Sequence, residues 1–220
     1  MKVLLNIICS KKVKYSIIII ILLFLYIFIS AISYVSAVSD KLENSIFRLH
    51  VIANSDSQED QNLKLLVRDN LLEYMNNISL NCNSKDDAIS IAKDHIDVFY
   101  NIANKTIKEN GYDYNVNIEI GNYDFPTKTY GDISIPAGYY DALRVKIGNA
   151  NGQNWWCVMF PPLCFVNVSS GIVPEKSKEI LEKELSDEEY DIISSDSSNV
   201  KIKFKLIELL QSTNLLTAKK

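Results

Sequence analysis

Histidine is scarce in this sequence, with only two residues, His50 and His95, among 220. Neither has a second histidine or a cysteine at the spacing of a zinc site, so the sequence predicts no metal site. The GxSxG, HExxH, P-loop and GxGxxG motifs, which are typical of hydrolases and nucleotide-binding enzymes, are also missing. These absences predict a protein that has no cofactor and no catalytic residue, and that is not an enzyme.

Basic residues are too few for a nucleic-acid-binding protein. The chain has 23 Lys and Arg against 27 Asp and Glu, and four of the lysines lie in the first sixteen residues, which leaves 19 basic residues against 27 acidic ones elsewhere. Binding to nucleic acid needs a basic surface, and an acidic domain is repelled by anionic lipid as well. We therefore predict no nucleic-acid partner, and contact with a membrane through the N-terminal segment only.

Charge is absent from Ser16 to Ser39, directly after the N-terminal lysines. A basic start followed by an apolar run is typical of a segment that directs export. Val35 and Ala37 occupy the −3 and −1 positions of a site for cleavage after Ala37, but the segment is also long enough to remain as a membrane anchor. Both alternatives predict a signal peptide or N-terminal membrane anchor over 1–37 and a single extracytoplasmic domain over 38–220.

Three cysteines lie in the exported part, at Cys82, Cys157 and Cys164. Two prolines stand between Cys157 and Cys164, which are separated by six residues. Outside the reducing cytoplasm this spacing favours a disulfide, and the alternative is a pair of buried free thiols. Cys82 has no evident partner in the sequence.

Hydrophobic periodicity predicts an α+β domain with a small, mostly antiparallel sheet, two central helices packed on it and a C-terminal helical segment. The segment Ile46–Ala53 alternates as a strand that has one apolar, buried face and one less buried face with Arg48 and His50. The other predicted elements, in chain order, are helices at Gln58–Asn77 and Asp86–Asn110, a strand from Tyr114 that ends at Gly121, an irregular loop over 122–137, a hairpin of strands Tyr139–Ile147 and Asn154–Phe160, a helix at Glu175–Leu185, a surface loop over 190–199, and a short strand followed by a helix within Val200–Leu210.

Some polar and aromatic residues admit either a structural or a binding role. Where the first strand leads into the first helix, the charged residues form either a contact patch or an ordinary solvated ion-pair face; they are Arg48, Asp56, Asp60, Lys64 and Arg68. Trp155 and Trp156 are neighbours on a strand, so they point to opposite faces and only one can be core; the other is a boundary residue or a recognition anchor. His95 and Val98 lie on the inward stripe of the second helix, which predicts a core histidine.

Two segments carry a family resemblance. The first is HVIANSDSQEDQNLKLLVRD (50–69), and the second runs from GNYDFP through IPAGYYDALRVKIGNANGQNWWCVMFPPLCF (121–165). Both resemble the stage II sporulation protein R family of endospore-forming Bacillota, and the likeness extends over most of the chain. The resemblance implies a protein made in the forespore and exported into the space between forespore and mother cell. There it acts as a signal that triggers the membrane-embedded sporulation sigma-E factor processing aspartic protease of the mother cell, which removes the pro-segment of the sigma factor.

The resemblance supplies no catalytic residue, so the residues of the two motifs are candidates for partner contact or for structure. They are Arg48, His50, Asn54, Asp56, Asp60, Lys64, Arg68, Phe125, Pro126, Tyr130, Trp155 and Trp156. Two alternatives remain open: a cell-envelope hydrolase that acts on wall material through the 122–137 loop or a Cys157–His50 pair, and a passive structural protein of the envelope.

Overall fold

A computed structural model describes residues 11–80, 82–164, 173 and 175–194. The chain divides into two compact units, one that ends at Val38 and one that begins at Ser39. Helix α1 (Lys11–Ser45) contains a segment, Lys11–Ser30, of mean hydropathy 2.5 that is long and apolar enough to cross a membrane. A signal sequence has the same length and composition, so α1 fits both a signal peptide and an anchor.

After α1, the described residues form one strand, three helices, five strands and two helices. In chain order they are β1 (Phe47–Ile52), α2 (Gln58–Ile78), α3 (Lys85–Asp94), α4 (Ile96–Glu109), β2 (Val116–Phe125), β3 (Lys128–Tyr130), β4 (Ile133–Ile135), β5 (Gly138–Ile147), β6 (Asn154–Phe160), α5 (Glu175–Glu184) and α6 (Asp187–Ser194). Helix α2 begins after Ser57, whose side chain accepts a hydrogen bond from the Asp60 N–H, and acidic residues occupy its first turn. The polar turn after β1 therefore starts α2 where the sequence predicts.

The main sheet has four strands in the order β2–β5–β1–β6. Strand β1 pairs parallel with β5 and antiparallel with β6, and β2 pairs antiparallel with β5, so the α+β class and the mostly antiparallel sheet are confirmed. The predicted hairpin of Tyr139–Ile147 with Asn154–Phe160 is wrong, because β1 lies between β5 and β6. A glycine-rich turn favours a hairpin locally, but it does not show that an earlier strand is inserted between the two arms.

The second predicted helix, Asp86–Asn110, is two helices, α3 and α4, which meet at His95. The break changes which side of α4 is buried: Phe99, Ala103 and Ile107 face the core, whereas Val98 is 38% exposed. The inward position of Val98 was therefore wrongly predicted. His95 is half-buried, and its Nδ1 lies 2.7 Å from the Tyr74 hydroxyl.

Residues 122–137 are not an irregular loop. Strand β2 continues through Gly121 to Phe125, and β3 and β4 then form a small antiparallel hairpin that turns at Gly131, where φ is +58°. Near the C-terminus, the predicted surface loop over 190–199 is wrong up to residue 194, because that part belongs to α6. The rest of that loop, and the strand and helix predicted within Val200–Leu210, lie outside the described residues.

The sheet has two faces of different character. One face, the helix-covered face, packs under α2 and α4; it includes Phe47, Leu49, Val51, Leu143, Val145 and Ile147, which are all fully buried. Alternation along the strands places other side chains on the opposite face, here called the second face. The second face carries Arg48, His50, Glu119, Tyr123, Phe125, Tyr140, Arg144, Lys146 and Trp156.

Candidate functional site

Asn54 joins the turn after β1 to the loop between β5 and β6. Its side-chain oxygen accepts a hydrogen bond of 2.9 Å from the Asn149 N–H, and its backbone oxygen accepts one of 3.2 Å from the Asn151 N–H. Gly148, at φ +57°, lies so close that a Cβ there would overlap the Asn54 amide. Only glycine suits that conformation and that close approach. Through its two hydrogen bonds, Asn54 fixes the loop between β5 and β6 against the turn after β1.

Asp56 and Lys64 bind the same loop at Gln153. The Gln153 N–H donates a hydrogen bond of 2.8 Å to Asp56 Oδ1, and Lys64 Nζ donates one of 2.9 Å to the Gln153 carbonyl. Lys64 is buried although it carries an ammonium group; burial and the nearby Arg68 lower its pKa, and Asp56 opposes them. The turn after β1 and the loop before β6, which belong to the two different family motifs, are therefore bonded to each other.

Asp60 completes this junction as a buried carboxylate. Its Oδ2 accepts hydrogen bonds of 2.8 Å from Asn54 Nδ2 and 2.5 Å from the Ser55 hydroxyl, and the Tyr114 hydroxyl is a further donor. Burial raises the pKa of Asp60, but the donors Ser55, Asn54 and Tyr114 outweigh it and hold the pKa below its usual value. Asp60 is thus an acceptor within the fold.

Arg48 is fully buried on the second face among aromatic rings. Its Cζ lies 4.1 Å from the ring centroid of Phe125 and 4.9 Å from that of Tyr140. Nη2 donates a hydrogen bond of 2.8 Å to the Tyr130 hydroxyl, and Nε donates one of 3.3 Å to the Cys157 carbonyl. The sequence prediction of a less buried strand face is wrong here, because the end of β2 brings Phe125 over Arg48.

His50 stacks on Trp156 beside this cluster. The two ring centroids are 3.8 Å apart with an interplanar angle of 21°, and His50 Nε2 lies 2.8 Å from Asn154 Oδ1. Burial lowers the pKa of His50 to about 4; Asn154 opposes the shift, and the positive charges nearby, Arg144 among them, add to it. His50 is therefore an uncharged, largely buried residue at neutral pH.

The stability of the fold is expected to fall between pH 7 and pH 5 because of His50. The folded-state pKa of His50 lies below that of the unfolded chain, so acid favours the unfolded state, which binds the proton first. The expected loss in free energy of unfolding is about 2 kcal/mol over that range. Urea unfolding of the full chain in neutral detergent, followed by tryptophan fluorescence, measures it. His50→Gln should flatten the profile, and an unchanged slope in that variant would contradict the assignment to His50.

Cys157 and Cys164 are joined in a disulfide with a Cα–Cα distance of 5.6 Å, and Cys82 is a buried free cysteine. Cys157 is opposite Leu49 in the register of β1 and β6, so its side chain belongs to the helix-covered face, whereas His50 belongs to the second face. The structure does not bring together the Cys157–His50 pair of the hydrolase hypothesis.

The two tryptophans lie on opposite faces, as their adjacency on a strand predicts, but both are half-buried and neither is fully core. Arg68 lies over Trp155, with its Cζ 4.1 Å from the ring centroid, and its Nη2 pairs with Asp69 Oδ1 at 2.6 Å. Pro126 is exposed directly after β2. Among the twelve candidates only Asp56 and Pro126 are exposed, so most of the set supports the fold.

A charged group that the sequence reading missed lies on the second face. Arg144 donates two hydrogen bonds to Glu119 Oε1, at 2.9 Å from Nε and 2.5 Å from Nη2, and Lys146 Nζ is 2.9 Å from the same oxygen. Arg144 also lies over Tyr123, with its Cζ 3.7 Å from the ring centroid. We call Glu119, Tyr123, Arg144 and Lys146 the basic row. The alternation of DALRVKI over 141–147 was the available signal.

No group of three or more His, Cys, Asp or Glu side chains able to hold a metal ion occurs in the part of the chain that the structure describes.

The sequence profile of stage II sporulation protein R (spore_II_R) matches residues 43–170, which include β1 to β6 and both motifs. The stage II sporulation protein R of Bacillus subtilis (strain 168) is 34% identical over 155 residues, which are 70% of this chain and 68% of that protein. No solved structure matches the chain.

Proposed function

The chain belongs to the stage II sporulation protein R family, and on that premise we propose that it is an exported signal of endospore formation. The forespore makes it, α1 directs it across the forespore membrane, and residues 38–220 act in the space between forespore and mother cell. Its partner is the membrane-embedded aspartic protease of the mother cell that processes pro-sigma-E. Binding of the signal switches that protease on.

Family membership is the observation that carries the proposal, and α1 supports it. The apolar segment Lys11–Ser30 fits a signal peptide or an anchor. In both cases the domain after α1 reaches the intermembrane space, either released or held at the forespore membrane. An anchored domain still contacts a protease in the facing membrane if the gap is narrow.

Activation by a ligand requires differential binding. A ligand shifts a protease towards its active state only if it binds that state more tightly than the inactive one. Moving the population from 1% to 99% active takes about 10⁴-fold tighter binding to the active state, or about 5.5 kcal/mol. Surface contacts on the extracytoplasmic part of the protease are enough for this, and no catalytic residue of the signal is needed.

The candidate catalytic side chains are already bonded or buried within the fold, and this favours a ligand over the alternative of a cell-envelope hydrolase. A hydrolase needs an accessible nucleophile or a titrating acid–base pair. Here Cys157 is in a disulfide, His50 is buried and uncharged, and Asp60 accepts hydrogen bonds within the junction. We therefore propose that the chain is not an enzyme.

Co-expression of the full chain, the protease and pro-sigma-E in a bacterium that does not sporulate tests the proposal. Processing of pro-sigma-E is expected only when all three are present, because the protease alone remains largely inactive. An immunoblot for the shortened sigma factor gives the readout. Absence of processing with all three proteins produced would contradict the proposal.

A matched pair of variants separates export from other effects. Ile20→Lys with Leu23→Lys places two charges in the apolar segment, and each costs about 3 kcal/mol of insertion free energy, so processing should be lost. Asn76→Lys with Asn101→Lys adds the same charge at exposed positions of α2 and α4 and should leave processing in place. Full processing by the first variant would refute the requirement for export.

A further inference from the structure

The second face is positively charged on an otherwise acidic chain. Its four strands carry three cations, the fully buried Arg48 and the accessible Arg144 and Lys146, and one carboxylate, Glu119. The chain as a whole has 27 acidic residues against 23 basic ones. A local excess of one sign within a field of the other marks a surface that selects a partner by charge.

The basic row leaves part of its positive charge uncompensated. One oxygen of Glu119 receives the donors of both Arg144 and Lys146, and these hydrogen bonds, from Lys146 first, lower the pKa of Glu119. The side chains are accessible, with exposed fractions of 25% for Arg144, 35% for Lys146 and 38% for Glu119. An incoming carboxylate can therefore reach both cations and share them with Glu119.

Aromatic groups frame the cations on both sides. Tyr123 packs against Arg144 in the row, and Trp156, half-buried, stacks on His50 on the next strands across the sheet. Strand β2 is an edge of the sheet, so Glu119 and Tyr123 lie at its border, where a partner has access. His50 Nδ1, in a residue only 6% exposed, has no hydrogen-bond partner among the described residues. Aromatic and arginine side chains are the groups that most often anchor protein interfaces.

We propose that the basic row binds an acidic segment of the partner protein. This inference rests on the proposed function, because it assigns the surface through which the signal contacts its protease. A protein segment fits better than anionic lipid, since the row is small and the acidic remainder of the domain would be repelled by a negatively charged membrane. Glu119 occupies the site in the free protein and is the internal competitor of the incoming carboxylates.

Fluorescence anisotropy of a labelled hexaglutamate peptide with the full chain in neutral detergent micelles, at low ionic strength, tests the row directly. Arg144→Gln with Lys146→Gln should weaken binding about tenfold, because two charge contacts are lost. Glu119→Gln should tighten binding severalfold, because it removes the competitor. Lys105→Gln with Lys108→Gln, which removes the same charge from exposed positions of α4, should have no effect.

Three binding results overturn the inference. The first is weaker peptide binding by Glu119→Gln, and the second is an equal loss of peptide affinity in the α4 control. The third is binding to phosphatidylglycerol vesicles that depends on the row, without binding to the peptide; this result would assign the row to a lipid surface. The co-expression assay adds an independent readout. Normal processing by the Arg144→Gln and Lys146→Gln variant would refute partner binding by the basic row but would leave the proposed function intact. No processing by the wild-type chain would refute the proposed function, and binding by the row would then be judged by the peptide measurement alone.

Discussion

Arg48→Ala is expected to lower the free energy of unfolding by about 4 kcal/mol. The substitution removes a fully buried side chain that packs against Phe125 and Tyr140, and it leaves a cavity beneath the end of β2. It also removes the cation–π contacts and the hydrogen bond to the Tyr130 hydroxyl. Urea unfolding of the full chain in neutral detergent, followed by the fluorescence of the two tryptophans, measures the loss.

Arg48→Met is the matched control, because it keeps most of the volume and removes the charge. Replacing a buried charge by an apolar side chain of similar size is often close to neutral, so the expected loss is below about 1.5 kcal/mol. The Tyr130 hydroxyl keeps a partner in the Trp156 carbonyl at 3.2 Å. A loss below about 1 kcal/mol for Arg48→Ala would contradict the buried packing of Arg48.

Asp60→Ala is expected to lower the free energy of unfolding by about 3 kcal/mol, because it removes a buried carboxylate and leaves the half-buried donors of Asn54 and Ser55 without their acceptor. The contribution depends on pH. Because the folded-state pKa of Asp60 is depressed, its stabilisation is present above the unfolded pKa of about 4 and is lost as the pH falls through the folded pKa.

The matched control for Asp60→Ala is Asp69→Ala, on the exposed side of the same helix. Asp69 pairs with Arg68 at the surface, and its side chain is 57% exposed, so the expected change is within about 0.5 kcal/mol. Guanidinium unfolding at pH 7 and pH 3 compares the two variants with the wild-type chain. If both variants lost the same free energy of unfolding at pH 7, Asp60 would not stabilise the junction between the two motifs.

Local signals were enough for most elements of the fold. The alternation of 46–53 predicts β1, and Ser57 with the acidic residues after it predicts the start of α2. The insertion of β1 between β5 and β6 was out of reach, since it depends on pairing between segments about 100 residues apart. The break at His95 was missed because its sequence contains no proline or glycine, and tertiary packing decides the register of α4.

The candidate residues were recognised more reliably than their roles. Asp56, Asp60 and Lys64 were predicted as part of a charged patch with Arg48 and Arg68, but Arg48 is buried on the second face. Asn54, Asp56 and Lys64 bond instead to the 148–153 loop, a contact that a single sequence does not reveal. Arg48 and His50 were assigned to a less buried face, because alternation alone does not show what folds over the second face. The basic row was missed, although the alternation of side chains along β5 places Arg144 and Lys146 on the same face.

Titration of the full chain against a fixed amount of protease in proteoliposomes distinguishes a ligand of the protease from an enzyme. The rate of pro-sigma-E cleavage is measured at each ratio. A ligand activates in proportion to the fraction of protease bound, so we expect cleavage to rise with added chain and to saturate at a fixed molar ratio to the protease. Full activation by a hundredth of the protease concentration would show that the chain turns over as an enzyme and is not a stoichiometric ligand.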